Sequence, residues 1–269
     1  MSSERISVIG AGVMGEALIS ALIKAGHSPS QIEILEKRSE RASELVAKYS
    51  IQVGAELSKS DVILLVVKPQ DLESVLSEIN GKLSATALVI SFVAGKKIAN
   101  IVEGLGGKNP VVRVMPNTPT LVGAGAAGYS FGNNLNSNLN LNEAQKKFVI
   151  DLLSAAGVAM EVPESLQDAV TATSGSGPAY FFAFVEAMIN GAKELGLSDE
   201  VATELTVQTM IGSAKLLEVS GKSATTLREN VTSPNGTTFA ALQSLQSDEL
   251  ERIVANAMKA ARDRSIELS

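Results

Sequence analysis

Six residues near the start of the chain, Gly10-Ala11-Gly12-Val13-Met14-Gly15, narrow the possible folds more than any other stretch. They form G-x-G-x-x-G directly after a β-rich run, Ile6-Ser7-Val8-Ile9. A helical pattern follows at once, with Ala17, Leu18, Ala21, Leu22 and Ala25 on one face. In that setting each glycine has a physical reason. Gly10 permits the tight turn out of the strand, Gly12 lets a pyrophosphate approach the backbone, and Gly15 lets helix and strand pack closely. The free N–H groups at the helix N-terminus then face the pyrophosphate. Strand, glycine turn and helix together predict a dinucleotide site.

The rest of the first half agrees. Ile32-Glu33-Ile34-Leu35 predicts a second strand, and a charged helix follows with Ala42, Leu45 and Val46 inward. Residues 62–67 are continuously apolar, as in a strand covered on both faces. Residues 88–90 and 111–114 predict two more strands. Strands alternating with helices imply an α/β fold, a Rossmann-like doubly wound parallel sheet.

After about Pro163 the β-rich runs stop. Helical patterns then cover residues 179–195, 199–219, 236–246 and 248–268. The division expected is therefore a nucleotide-binding domain over 1–163 and an all-helical domain over 164–269. The helix over 179–195 is apolar on nearly every face at its start, a pattern of helices buried on all sides. The last helix has Ser247 as its expected N-cap, Asp248 and Glu249 in its first turn, and a stripe of Leu250, Ile253, Val254, Ala257, Met258 and Ala261. Residues 133–142, rich in Asn and Leu, read as a surface connection.

Composition removes several chemistries. With no cysteine there is no disulfide, no thiolate zinc site and no thiol nucleophile, and no metal is expected. The net charge is -6 with Lys and Arg scattered, which argues against nucleic acid as a partner. The N-terminus lacks the basic-then-apolar layout of a signal peptide, and the most apolar stretch, 179–189, contains Glu186 and is too short to span a bilayer. A cytoplasmic protein without membrane partners is expected. The one histidine, His27, reads as a surface residue at the end of the first helix.

Glu36 ends the second strand, where a carboxylate suits the free 2′-hydroxyl of NAD and repels the 2′-phosphate of NADP. Lys37 and Arg38 follow, and both can hold that phosphate. The residues leave the choice open, with NADP(H) preferred and NAD(H) also usable.

Three further motifs narrow the reading. They are Val67-Lys68-Pro69 after a buried strand, Val114-Met115-Pro116-Asn117-Thr118-Pro119, and a C-terminal pair. That pair is Ser174-Gly175-Ser176-Gly177-Pro178-Ala179-Tyr180 and Val231-Thr232-Ser233-Pro234-Asn235-Gly236-Thr237-Thr238. With the glycine loop, in order and spacing over nearly the whole chain, they resemble pyrroline-5-carboxylate reductase. The resemblance implies NAD(P)H-dependent reduction of the C=N bond of 1-pyrroline-5-carboxylate to L-proline, the last step of proline biosynthesis.

It also implies roles for particular residues. Ile9, Gly10, Ala11, Gly12, Val13 and Met14, with Gly15 behind them, line the pyrophosphate, and Glu36, Lys37 and Arg38 lie at the adenosine ribose. Val66, Val67, Lys68 and Pro69, with Phe92, Val93 and Ala94, flank the ribose and nicotinamide, and Ala94 also touches substrate. Asn230 contacts the cofactor. Val231, Ser233, Gly236, Thr237 and Thr238 hold the substrate, with Thr238 the catalytic side chain. The helical domain pairs with a second subunit, and such dimers assemble into rings such as a decamer. Two positions depart from the pattern. Asn235 stands where the family has glycine, and no Asn follows the third strand around Val53-Gly54-Ala55-Glu56.

The chemistry is consistent on its own terms. A protonated imine is already activated, so the lack of a well-placed histidine is no obstacle. Residues 233–238 are turn-like and lead into a helix, so their N–H groups and hydroxyls can take a carboxylate. The threonines also suit N-capping of that helix. Residues 174–178 read equally as a functional loop or as a glycine-rich helix start with Pro at N1. A β-hydroxyacid-type dehydrogenase shares the two-domain layout but needs a lysine early on the central helix, and none appears before Lys193. A non-catalytic NADP(H) sensor is the other alternative, and it has no use for a carboxylate cradle at 233–238.

Overall fold

The computed structural model describes residues 4–54, 56–132 and 139–268. The strands are β1 (Ile6–Ile9), β2 (Ile32–Leu35), β3 (Gln52–Val53), β4 (Val62–Leu65), β5 (Leu88–Ser91), β6 (Val111–Met115), β7 (Gly125–Phe131) and β8 (Gly157–Glu161). They form one sheet in the order β3-β2-β1-β4-β5-β6-β7-β8. Strands β1 to β6 are parallel, β7 runs antiparallel to β6, and β8 runs parallel to β7. The order reverses between β1 and β4, which is where open α/β sheets take their ligands.

Helices α1 (Val13–Lys24), α2 (Ser39–Tyr49), α3 (Leu72–Ile79), α4 (Ile98–Gly104), α5 (Glu143–Ala156) and the short α6 (Gln167–Val170) belong to this sheet. Alternation along the strands makes two cores. Val8, Ile34, Leu64 and Ile90 join Leu18, Leu22, Leu45, Phe148 and Leu152 on one face. Ile9, Ile63, Leu65 and Val89 join Leu72, Leu76 and Ile101 on the other. Covering helices on both faces explain why β4 is apolar without a break and why β1, β2 and β5 are apolar at most positions.

The chain separates into two compact units, one comprising the residues up to Ser176 with those from Ala261 on, the other comprising Gly177–Ala260. The second contains α7 (Gly177–Glu194), α8 (Asp199–Ser220), α9 (Ala224–Asn230), α10 (Thr237–Ser247) and most of α11 (Leu250–Glu267). The side chains of Ser198 and Ser223 cap α8 and α9, and Gly221 in a left-handed conformation ends α8. No described helix is long and apolar enough to cross a membrane.

Three expectations are corrected. Strands β7 and β8 were not foreseen, and both run against the direction of the first six. His27 is not a surface residue: it is 7% exposed and packs edge-on against Phe148 at 5.4 Å. Burial lowers its pKa, against the opposing charges of Glu4 and Asp151. Ser247 does not cap the last helix. It closes α10, donating its hydroxyl to the Ser244 carbonyl, and Glu249 at φ +57 separates the two helices. Helix α7 leaves Phe181 and Phe182 62% and 60% exposed in one chain, as expected of an apolar helix that a small unit can hardly bury alone. In the Asn-Leu stretch, residues 133–138 lie outside the described residues, and Asn142 at its end forms a reciprocal capping box with Gln145 on α5.

Candidate active site

The reversal of strand order opens a cleft of about 940 Å³ at the carboxyl ends of β1, β2 and β4. Ile9, Gly10, Gly12 and Val13 line it from the first loop, Glu36, Lys37 and Arg38 from the second, and Val66, Val67 and Lys68 from the loop after β4. Parallel register brings these loops together: Ile9 lies beside Leu65, the Val66 N–H donates to the Ile9 carbonyl, and the Gly10 N–H donates to the Leu35 carbonyl.

The three glycines differ physically. Gly10 has φ +89, and a Cβ there would lie 2.6 Å from the Val66 carbonyl oxygen. A Cβ on Gly15 would lie 2.4 Å from the Gly10 carbonyl oxygen. Gly12 caps α1 with an ordinary φ of -67 and no side-chain hydrogen bond, and a Cβ there would meet nothing within 4 Å. The fold does not need glycine at Gly12. The open space and the uncapped helix N-terminus beside it fit a dinucleotide pyrophosphate. Gly12→Ala is therefore expected to weaken NADPH binding at least about tenfold while changing stability by less than about 1 kcal/mol. Gly15→Ala should cost about 1–3 kcal/mol of stability through overpacking. Fluorescence titration and thermal unfolding of both variants check this, and unchanged NADPH affinity in Gly12→Ala would remove the pyrophosphate from this loop.

Glu36 plays a part its position alone did not disclose. One carboxylate oxygen accepts the Ala11 N–H at 3.0 Å, and the other accepts both the Arg38 N–H and Arg38 Nε at 3.0 Å. Burial pushes the Glu36 pKa up, but Arg38 and the Ala11 N–H outweigh it, and the net shift is downward. Glu36 thus steadies the glycine loop and carries a charge already paired by Arg38. Lys37 is exposed, lines the cleft and makes no ion pair among the described residues. Behind the loop, Arg41 donates to the Ala11 carbonyl and pairs with Glu16. Lys48 above all, then Arg41 and Tyr49, hold the Glu16 pKa at about 2 against burial.

Not every expected residue lines the cleft. Ala11 is buried, and neither Met14, Gly15 nor Pro69 faces it. Phe92 and Val93 are 7% and 2% exposed and bury their side chains in the two cores, and neither they nor Ala94 line the cleft. Their loop still follows β5 beside β4, with the Phe92 N–H on the Leu65 carbonyl. The cleft also takes in Val53 and Gly54, at the place where the family carries an Asn, and adds Gln70, Asp71 and Glu78, which were not singled out in the sequence. Gln70 and Asp71 follow β4 and Glu78 lies on α3, so their signal was position beside the switch point.

The second unit holds the other expected residues. Asn230 ends α9, and Val231 and Ser233 lie in the turn after it. Asn235 has φ +59, the left-handed conformation that the family's glycine would adopt freely and that Asn tolerates. Gly236 is the N-cap of α10 and makes no side-chain cap, so the threonines are not capping residues. A Cβ on Gly236 would lie 2.5 Å from Ser233 Oγ. Thr237 is exposed and Thr238 half-buried, and neither hydroxyl makes a hydrogen bond among the described residues.

Comparison with known proteins decides the family. The pyrroline-5-carboxylate reductase of Pseudomonas aeruginosa is 41% identical over 274 aligned positions, covering 100% of this chain and 98% of that protein. The chain belongs to the pyrroline-5-carboxylate reductase family. Residues 164–268 match the family model described as pyrroline-5-carboxylate reductase dimerisation. Residues 5–95 match the one described as NADP oxidoreductase, coenzyme F420-dependent. Solved reductases of this family superpose over the full chain. That from Coxiella burnetii has a TM-score of 0.90 at 34% identity, covering 100% of this chain and 99% of that one. The Plasmodium falciparum structure with NADP bound has a TM-score of 0.85 at 31% identity, with the same coverage. The fold is thus a Rossmann-like α/β unit followed by a helical dimerisation segment.

Proposed function

We propose that this chain reduces the C=N bond of 1-pyrroline-5-carboxylate to give L-proline, using NADPH in preference to NADH. The observation that carries the reading is full-length kinship with pyrroline-5-carboxylate reductases joined to a cleft whose Gly12 is open toward a ligand. When bound, the reduced nicotinamide supplies the hydride. The chain's own residues do the rest. The glycine loop and the α1 N-terminus hold the pyrophosphate, Lys37 takes the 2′-phosphate, and Asn230 adds a cofactor contact. The backbone from Val66 to Pro69 and from Phe92 to Ala94 flanks the nicotinamide. The turn from Val231 through Ser233 to Gly236 and Thr237 binds the substrate carboxylate, and the Thr238 hydroxyl steadies the imine nitrogen and relays a proton.

In this reading residues 1–163 form the nucleotide-binding domain and 164–269 the substrate-binding and dimerisation domain. The protein is a cytoplasmic homodimer joined through its C-terminal helices, with dimers assembling into rings such as a decamer. A steady-state assay of the imine with each cofactor tests the function. Loss of the reduced-nicotinamide absorbance only when the imine is present is the expected result, and cofactor binding without turnover contradicts it.

Cofactor preference has its own prediction. Arg38 is committed to Glu36, whereas Lys37 is not. Lys37→Ala is expected to raise the KM for NADPH by roughly tenfold or more, since a charged phosphate contact contributes about 1.5–3 kcal/mol. The KM for NADH should change little. Equal changes for both cofactors would show that Lys37 does not contact the 2′-phosphate.

A further inference from the structure

Arg113 is the charged residue of the apolar strand β6 and is 3% exposed. Its guanidinium lies 3.6 Å from the carboxylate of Glu164 and 3.6 Å from that of Asp168. Each carboxylate grips a different segment. Glu164 Oε1 accepts the N–H of Ile98 at 2.7 Å, the first residue of α4, where the loop that begins at Phe92 ends. Asp168 Oδ1 accepts the Ser265 hydroxyl at 2.7 Å, in the last turn of α11. Three residues on, Leu268 covers Gly95. Gly95 has φ +74, and a Cβ there would lie 3.3 Å from both the Cβ and the carbonyl oxygen of Leu268. All of these residues belong to the first compact unit.

The loop after β5 is therefore held at three points. Its start is fixed by the Phe92 N–H on the Leu65 carbonyl, its end by Glu164, and its middle by Leu268 against Gly95. One buried guanidinium organises the second point directly, and the third through Asp168 and Ser265.

We propose that the carboxyl-terminal turn of α11, anchored by Ser265 on Asp168, is a latch that positions the Phe92–Ala94 backbone for the imine substrate. This rests on the reading that the loop flanks nicotinamide and substrate. Ser265 and Leu268 are positioning residues, since they touch the loop and its anchor rather than the reacting atoms. Arg113 is too deeply buried to be a clean test, because its removal leaves two carboxylates without their charge partner.

The test uses the full-length enzyme with Ser265→Ala, Ser265→Thr, a chain ending at Glu267, and Ala94→Leu. Ser265→Ala and the shortened chain should raise the KM for the imine about fivefold or more, the scale of one lost hydrogen bond. The Kd for NADPH should stay within about twofold, as its adenosine and pyrophosphate groups lie elsewhere, and light scattering should show an unchanged mass. Ser265→Thr, which keeps the hydroxyl, should restore the KM. Imine KM unchanged in Ser265→Ala and the shortened chain, with a defect in Ala94→Leu, overturns the latch and leaves the site reading standing. Unchanged KM in all of them overturns both. Parallel losses of NADPH affinity and thermal stability without rescue by Ser265→Thr make the contact structural and overturn the latch.

Discussion

Thr238→Ala is expected to lower kcat by roughly 10²–10³-fold while leaving NADPH affinity nearly intact, the usual cost of removing one preorganised hydrogen bond at developing charge. The structure strengthens the case in one respect. A threonine at a helix start is commonly a cap, but here Gly236 is the N-cap and carries no side chain to bond the helix. The Thr238 hydroxyl is thus not consumed by its own helix. A hydroxyl both donates and accepts, so it can orient the imine and pass a proton from water. Thr238→Ser keeps that capacity and should retain much of the activity. Thr237→Ala should act chiefly on the KM for the imine. Stopped-flow and steady-state rates separate these effects, and near-parental turnover by Thr238→Ala would leave the residue without a catalytic role.

The second large effect concerns assembly. Light scattering at micromolar concentration should give a mass of at least two chains, and the double change Phe181→Glu with Phe182→Glu should abolish the folded dimer. Among the apolar residues described in the helical unit, Ala202 alone is buried. Phe181, Phe182, Leu205, Ile211 and Ile253 all stay more than half exposed in a single chain. Burying one phenylalanine contributes about 1.5–3 kcal/mol, so four of them across a dimer contribute about 6–12 kcal/mol. That is comparable with the whole stability of an ordinary domain. A small helical unit without a core of its own has to find one in a second copy. A stable, folded monomer of the parent chain would contradict this.

How far these features were legible depended on whether their cause was local. Strands β1, β2, β4, β5 and β6 are apolar runs, and the period of the pattern exposes them. Strand β7 reads Gly-Ala-Ala-Gly-Tyr-Ser-Phe and looks like a loop, because its small residues serve close packing. A Cβ on Gly125 would lie 2.3 Å from Thr120 Oγ1, and one on Gly128 would lie 2.7 Å from Val170. Those neighbours cannot be inferred from a one-dimensional pattern. His27 sits in turn-like sequence, and the ring that covers it, Phe148, comes from α5. In the site, the glycine loop was legible because its geometry is encoded in six consecutive residues. The Glu36–Ala11 bond spans 25 positions and the Ser265–Asp168 bond spans 97, so neither leaves a local trace. Helix α7 was legible in its own way: its all-round apolar pattern in so small a unit calls for a second copy, and one chain leaves Phe181 and Phe182 exposed.

The reversed strand β7 also settles how the chain is routed. It starts at the carboxyl end of β6, where Gly128 pairs with Met115, and descends to Phe131 beside Val112. Strand β8 descends alongside it from Gly157 to Glu161. The backbone then climbs again: Gln167 bonds to Gly128 and Ser130, Val170 packs on Gly128, and Gly175 arrives at the tip of the Met115 side chain. The polypeptide therefore leaves the first unit at the same rim of the sheet as the glycine loop and the Ala94 turn. Had β7 followed the direction of its neighbours, the same connections would have delivered it to the opposite rim, with the length of the strands between the exit and the glycine loop. A single antiparallel pairing thus acts as a switch in the chain path.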